Sequence, residues 1–196
     1  ALEKAFQKYP DAKAVMLVHL YGTPAKMDEI TAICQKHNAV LIEDAAEALS
    51  AKYNGRECGT FGEFGIVSIN GNKIITTSGG GMLLTDNEEA RKKAFFWATQ
   101  SRENAPWYQH EEIGYNYRMS NVVAGIGRGQ LLHLEEHRAR KTEIYNRYKK
   151  NLLGVISDVG LIVNAGDRAE DEKSDAGIEI CKMIKAETPW MPVIMQ

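Results

Sequence analysis

Two uninterrupted apolar runs, Ala14-Val15-Met16-Leu17-Val18 and Val40-Leu41-Ile42, limit the fold more than any other feature of this chain. Short runs without alternation suit parallel strands buried on both faces. Between them Thr23 reads as an N-cap and Pro24 as a first helical residue. Met27, Ile30, Ile33, Cys34 and His37 then recur at helical spacing, which predicts an amphipathic helix over 24–37 that Asn38 closes. Strand, helix and strand in that order make a crossover unit, right-handed by the twist of its strands. The second run ends in Glu43-Asp44. In open parallel sheets ligands bind beyond the carboxyl ends of the strands, so Asp44 is a first candidate contact.

The remainder extends an α/β pattern. Residues 51–53, 65–69 and 82–85 are expected strands, with Gly55, Gly59 and Gly62 marking turns. Asp86 or Asn87 caps a helix that opens on Glu88-Glu89, favourable at the positive end of the helix dipole, and runs to about Ser101. Residues 102–119 read as a long ordered loop rich in Trp107, Tyr108, Tyr115 and Tyr117. Ser120 caps a long helix that extends to Leu152, with Gly154 at its end. Gly125, Gly127 and Gly129 interrupt that helix, at about 1 kcal/mol each relative to alanine. Residues 155–163 suggest a strand, 164–175 are polar, and 176–186 suggest a helix. The start at Ala1, already inside the helix-like run Leu2-Glu3-Lys4-Ala5-Phe6, is expected of a processed chain or a fragment.

Composition excludes several classes of function. The 196 residues carry 24 Lys and Arg against 26 Asp and Glu, a formal net charge of -2, so there is no polycation for nucleic acid. Hydrophobic residues at 44% and charged residues at 26% are ordinary for a globular protein and unlike a disordered one. No apolar run approaches the length of a membrane helix. Cys34, Cys58 and Cys181 are too few and too far apart for a disulfide framework, and no CxxC pair offers a zinc site. The expectation is a cytoplasmic protein with neither a nucleic-acid nor a membrane partner.

Few residues carry chemistry on their own. Asp44 could hold a cationic nitrogen, a sugar hydroxyl or a metal, or could simply cap a turn. Lys73 follows a strand and an Asn-Gly turn. A lysine in a pocket can lose its proton and attack a carbonyl, but most lysines are solvated. Gly79-Gly80-Gly81 matches neither a phosphate loop nor a dinucleotide fingerprint. His19 ends the first strand and is as well suited to a structural role as to a functional one. His133 and His137 lie one helical turn apart without an HExxH order, which reads as a solvated helix face rather than a metal site.

The combination says more than its parts. Glu43-Asp44-Ala45-Ala46-Glu47-Ala48-Leu49 is followed, 29 residues from Asp44, by Lys73 within Asn70-Gly71-Asn72-Lys73-Ile74-Ile75-Thr76-Thr77-Ser78-Gly79-Gly80-Gly81. With His19-Leu20-Tyr21-Gly22, Gly59-Thr60-Phe61-Gly62-Glu63-Phe64-Gly65 and Gly114-Tyr115-Asn116-Tyr117-Arg118, this resembles the DegT/DnrJ/EryC1/StrS family of pyridoxal-phosphate-dependent sugar aminotransferases over residues 1–153. The branch most resembled aminates UDP-4-keto-6-deoxy-GlcNAc.

The resemblance implies the central part of the large domain of the aspartate aminotransferase fold, a mostly parallel sheet flanked by helices. Its divisions are a partial cofactor-binding domain at 1–119, a connecting helix at 120–154 and the start of a small C-terminal domain at 155–196. It implies pyridoxal 5'-phosphate as cofactor, a nucleotide sugar as substrate, glutamate as amino donor, and a homodimer with a shared site. Lys73 would hold the cofactor covalently and shuttle the proton. Asp44 would pair with the pyridine nitrogen, Glu47 would sit near the ring hydroxyl, and Ser68 would donate to the phosphate. Asn116 would reach a phosphate across the dimer interface. Ser50 stands where the family has Gly. A dehydratase of the same fold, in which the lysine is replaced, and a non-catalytic cofactor-binding or dimerising fragment are the alternatives.

Overall fold

The structure, a computed structural model, describes residues 1–152. The expected elements at 155–163 and 176–186, and the division at 155, lie outside the described residues. Helix α1 (Leu2–Lys8) leads into strand β1 (Ala14–Val18), helix α2 (Met27–Lys36) and strand β2 (Val40–Asp44). β1 and β2 pair in parallel, from Ala14 opposite Val40 to Val18 opposite Asp44. Strand β5 (Phe64–Ser68) adds in parallel on the far side of β2, and β6 (Gly81–Leu84) closes the order β1-β2-β5-β6 antiparallel to β5. Between β2 and β5 lies a small hairpin of β3 (Lys52–Tyr53) and β4 (Arg56–Glu57), joined by Asn54-Gly55, a pair suited to tight hairpins. The sheet is mostly parallel, as expected.

Double burial of the strands is not observed. Val15 and Leu17 of β1 pack with Leu41 against Met27 and Cys34 of α2. Met16, on the other face, is 68% exposed, and Val18 and Val40 beside it are exposed too. The reason is that the crossover helix covers one face only, and no second layer lies on the other among the described residues.

Three helix limits also depart from expectation. α2 starts at Met27 rather than Pro24, because residues 20–22 form a 3-10 turn with Tyr21 at φ 55, and Thr23 closes that turn in extended conformation. Helix α3 (Glu88–Ala98) is capped by Asn87, whose side chain accepts the Ala90 N–H, and stops before Ser101. Gln100 and Ser101 both take left-handed φ there, at 73 and 48. The helix expected from Ser120 to Leu152 is two: α4 (Asn121–Leu131) and α5 (Leu134–Leu152). Gln130 and His137, on either side of the break, bond the Thr76 N–H and the Ile74 carbonyl, so the break lets two helices grip one segment.

Candidate active site

β1, β2 and β5 end together, and the loops leaving them carry most of the candidate residues. The His19 N–H donates to the Asp44 carbonyl at 3.0 Å, extending the ladder one step past β1. The 3-10 turn then aims the Tyr21 N–H at Glu47 Oε2, 2.7 Å away. The other oxygen, Glu47 Oε1, lies 3.8 Å from Lys73 Nζ. The Lys73 side chain is 15% exposed, so this is a half-buried amine facing a carboxylate rather than the solvated lysine that composition alone favours. Lys73 leaves a turn closed by its own N–H to the Asn70 carbonyl at 3.1 Å.

Asp44 and Ser68 share a face of the sheet, because Asp44 is in register with Ile66, two residues before Ser68 on β5. Asp44 Oδ1 accepts the Ala46 N–H at 3.0 Å, and Oδ2 makes no hydrogen bond among the described residues. Ser68 Oγ accepts the Asn70 N–H at 3.3 Å, which leaves its own proton to donate. Asp44, Glu47, Ser68 and Lys73 thus sit at one end of the sheet. Asn116 does not join them: it is exposed, bridges to Thr99 at the end of α3, and has no hydrogen bond or ion pair to the other four among the described residues.

The fifth group at this end is Glu43, which the motif analysis does not single out. It is fully buried. Its Oε1 accepts from the Gly59 N–H at 2.7 Å and from His19 Nε2 at 3.0 Å, and its Oε2 from the Phe61 and Gly62 N–H groups at 2.6 Å each. His19 Nδ1 accepts the Ala25 N–H at 3.2 Å, so the imidazole proton is on Nε2. Glycine at 62 and 65 is what lets the loop come this close, since a Cβ at Gly62 would overlap the Leu41 carbonyl and one at Gly65 the Gly59 carbonyl. Burial pushes the Glu43 carboxyl up, but the His19 bond and the three backbone N–H bonds outweigh it and hold it below its ordinary value. Burial first, then the charges of Glu43 and Glu57, pushes the neighbouring Cys58 thiol up to about 12, so it is no nucleophile.

His19 is therefore a satisfied core histidine. His133 is exposed beside Glu136, but His137 is half-buried and donates from Nδ1 to the Ile74 carbonyl at 3.0 Å, which corrects the solvated face expected for it. No group of His, Cys, Asp and Glu suited to a metal ion occurs among the described residues.

Fold and site define a mostly parallel α/β domain that gathers a shielded amine, two carboxylates and a hydroxyl at its strand ends, where such domains bind ligands. Comparison with known proteins then gives the family. The model of the DegT/DnrJ/EryC1/StrS aminotransferase family matches residues 1–181. EpsN of Bacillus subtilis, named as a pyridoxal phosphate-dependent aminotransferase, is 54% identical over 159 residues, covering 81% of this chain and 41% of that protein. A GDP-perosamine synthase of Escherichia coli is 42% identical over 144 residues, covering 74% of this chain and 40% of that protein. Among solved structures, the aminotransferase TlmJ from Streptoalloteichus hindustanus aligns with TM-score 0.70 and 33% identity over 74% of this chain and 40% of its own. The chain belongs to the DegT/DnrJ/EryC1/StrS aminotransferase family, and it spans about two fifths of the length of the curated relatives it matches.

Proposed function

We propose that the protein carrying this chain is a pyridoxal-phosphate-dependent aminotransferase that places an amino group on a nucleotide sugar. The observation that carries the reading is Lys73, half-buried and 3.8 Å from the Glu47 carboxylate, at the strand ends that also hold Asp44 and Ser68. These residues fit the cofactor by their chemistry: an amine for its aldehyde, a carboxylate oxygen without a partner for its ring nitrogen, and a hydroxyl with a proton to give for its phosphate. When bound, pyridoxal phosphate supplies an electron sink for the carbon that gains or loses the amino group.

The residues do the rest. Lys73 would hold the cofactor through Nζ, and its amine would serve as the proton carrier. Glu47, steadied by the Tyr21 N–H and 3.8 Å from Lys73, would sit near the ring hydroxyl. Asp44 would hold the ring nitrogen, with Oδ1 fixed by the Ala46 N–H so that Oδ2 is the available acceptor. Ser68 would donate to the phosphate. Asn116, on the exposed loop, contributes to the site of a second copy in a homodimer.

The substrate we infer is UDP-4-keto-6-deoxy-GlcNAc, with glutamate as donor, in the cytoplasm. The motif resemblance supports the uridine sugar, while the GDP-perosamine synthase relative leaves a guanosine sugar as the competing substrate. We assign residues 1–119 to the cofactor domain and the helices that follow to a connection with the rest of the protein. Mass spectrometry of the full-length protein after borohydride treatment with pyridoxal phosphate tests the reading: the adduct falls on Lys73. Transamination is lost in Lys73→Ala. An adduct elsewhere, or normal turnover in Lys73→Ala without added amine, refutes it.

A further inference from the structure

A carboxylate that is wholly buried, bonded to four donors and absent from the chemistry above requires an account. Glu43 ties together two loops that meet nowhere else in sequence, the turn after β1 through His19 and the glycine-lined loop 59–62. The first loop leads directly to the site. His19 is the N-cap of the 3-10 turn, its N–H holds the Asp44 carbonyl, and its ring is gripped on one side by Glu43 and on the other by the Ala25 N–H. Two residues on, the Tyr21 N–H holds Glu47, and Glu47 faces Lys73. We propose that Glu43 is a positioning residue of the lysine site: its carboxylate fixes His19 and the turn that follows, and through the Tyr21 N–H sets Glu47 against Lys73.

The acceptor-only nature of a carboxylate is what the arrangement uses. Four donors converge on it, and a glutamine there must turn its NH2 toward two of them. Whichever pair it faces, the tie between the loops is weakened: the Phe61 and Gly62 amides lose their acceptor and loop 59–62 hangs on Gly59 alone, or Gly59 and His19 lose theirs and the turn after β1 is freed. His19 cannot compensate by changing tautomer, because Nδ1 is already committed as the acceptor for Ala25.

The inference rests on Lys73 being the reacting amine of the proposed aminotransferase, and the test separates the two. In the full-length protein without added cofactor, lysines are acetylated briefly with acetic anhydride. The rate at Lys73 relative to exposed Lys141 is read by peptide mass spectrometry across pH. Glu43→Gln is expected to raise that ratio by roughly threefold or more, the scale of one partly screened ion pair. His19→Gln, which keeps one of the two imidazole bonds, shifts it the same way by less. Phe6→Leu, at a buried position stacked on His37 in the α1–α2 layer, serves as the control for loss of stability in general and leaves the ratio unchanged. An unchanged ratio in whichever of the first two variants folds, an equal rise in Phe6→Leu, or failure of both variants to fold overturns the proposal. Failure of pyridoxal phosphate to protect Lys73 in the unsubstituted protein strikes the aminotransferase reading instead.

Discussion

Ser50→Gly is expected to stabilise the protein. Ser50 is the third residue of a turn closed by the Ala51 N–H on the Ala48 carbonyl at 3.0 Å, and its φ is 67. An L-residue held there costs about 1–2 kcal/mol. The turn lies inside the core, with Ala48 and Ala51 fully buried, and the Ser50 hydroxyl has no hydrogen-bond partner among the described residues. A buried polar group left unmade costs about 1–3 kcal/mol. Two effects oppose the gain: glycine gives up about 0.5–1 kcal/mol more backbone entropy, and the lost carbon forfeits about 0.8 kcal/mol of burial. At mid-range these figures leave a net gain of about 2 kcal/mol, which for a chain of 196 residues raises Tm by roughly 4–8 °C. Urea unfolding should show a higher midpoint at unchanged slope. Ser50→Ala removes the same unpaired hydroxyl without the entropy and burial losses, so although it keeps the left-handed φ it should gain about as much. No gain in either variant refutes the reasoning about the unpaired hydroxyl, and a gain in Ser50→Ala with a loss in Ser50→Gly refutes the reasoning about strain.

In α4, Gly125 and Gly129 face open space, so alanine at either adds about 1 kcal/mol to urea-measured stability. Alanine at Gly127 adds nothing or destabilises, since its Cβ would stand 3.1 Å from Thr77 Cγ2. The Glu43 carboxyl titrates below its ordinary 4.5 when folded, so its contribution is fully present above about pH 4.5 and is lost as pH falls through the folded value. Glu43→Gln therefore flattens the acid limb of a stability-against-pH profile, and an unchanged limb counts against the buried charge. In the full-length protein, Asp44→Asn keeps the borohydride adduct on Lys73 but slows single-turnover reaction with glutamate by about 100- to 1000-fold, the scale of one lost electrostatic contact in a transition state. A normal rate removes Asp44 from its role.

The strand-helix-strand unit was legible because α2 carries its own period and the flanking runs have nothing polar to interrupt them. The same runs misled about burial. Apolar residues on both faces of β1 say that both faces can be covered, and the pattern is silent on whether the described residues include the second layer. The gathering of Glu47, Ser68 and Lys73 could be read only from the resemblance, since no local period links residues that far apart in sequence. Glu43 was invisible for a different reason. It shares the inward face of β2 with Leu41, where a charge is ordinarily excluded, and its burial depends on amide donors from a loop 16 to 19 residues later. Gly62 and Gly65 were the available signal, as markers of close backbone approach rather than of turns. The breaks at Gln100 and at Leu132 leave no mark in hydrophobic spacing: Gln100 and Ser101 turn to left-handed φ, and α4 stops at Leu131 with Leu132 still in helical dihedrals.

Lys73 gains its definition from what lies on both sides of it. Before it, Ser68 ends β5 and accepts the Asn70 N–H, and the Asn70 carbonyl closes the turn on Lys73. After it, Ile74 and Ile75 are buried with Ile69 in a cluster that Met119 and Leu134 complete. The Thr77 N–H returns to the Ile69 carbonyl at 2.9 Å, so the segment forms a closed loop with the lysine near its tip. Gln130 of α4 and His137 of α5 hold that loop by the Thr76 N–H and the Ile74 carbonyl. The backbone of Lys73 is thus immobilised by packing on one side, and its amine is met by Glu47 on the other. A long flexible side chain loses up to about 2 kcal/mol of rotamer freedom when it is fixed in this way. The loop spends backbone contacts, rather than hydrogen bonds of the lysine amine, on that ordering, and Nζ meets the Glu47 carboxylate at 3.8 Å.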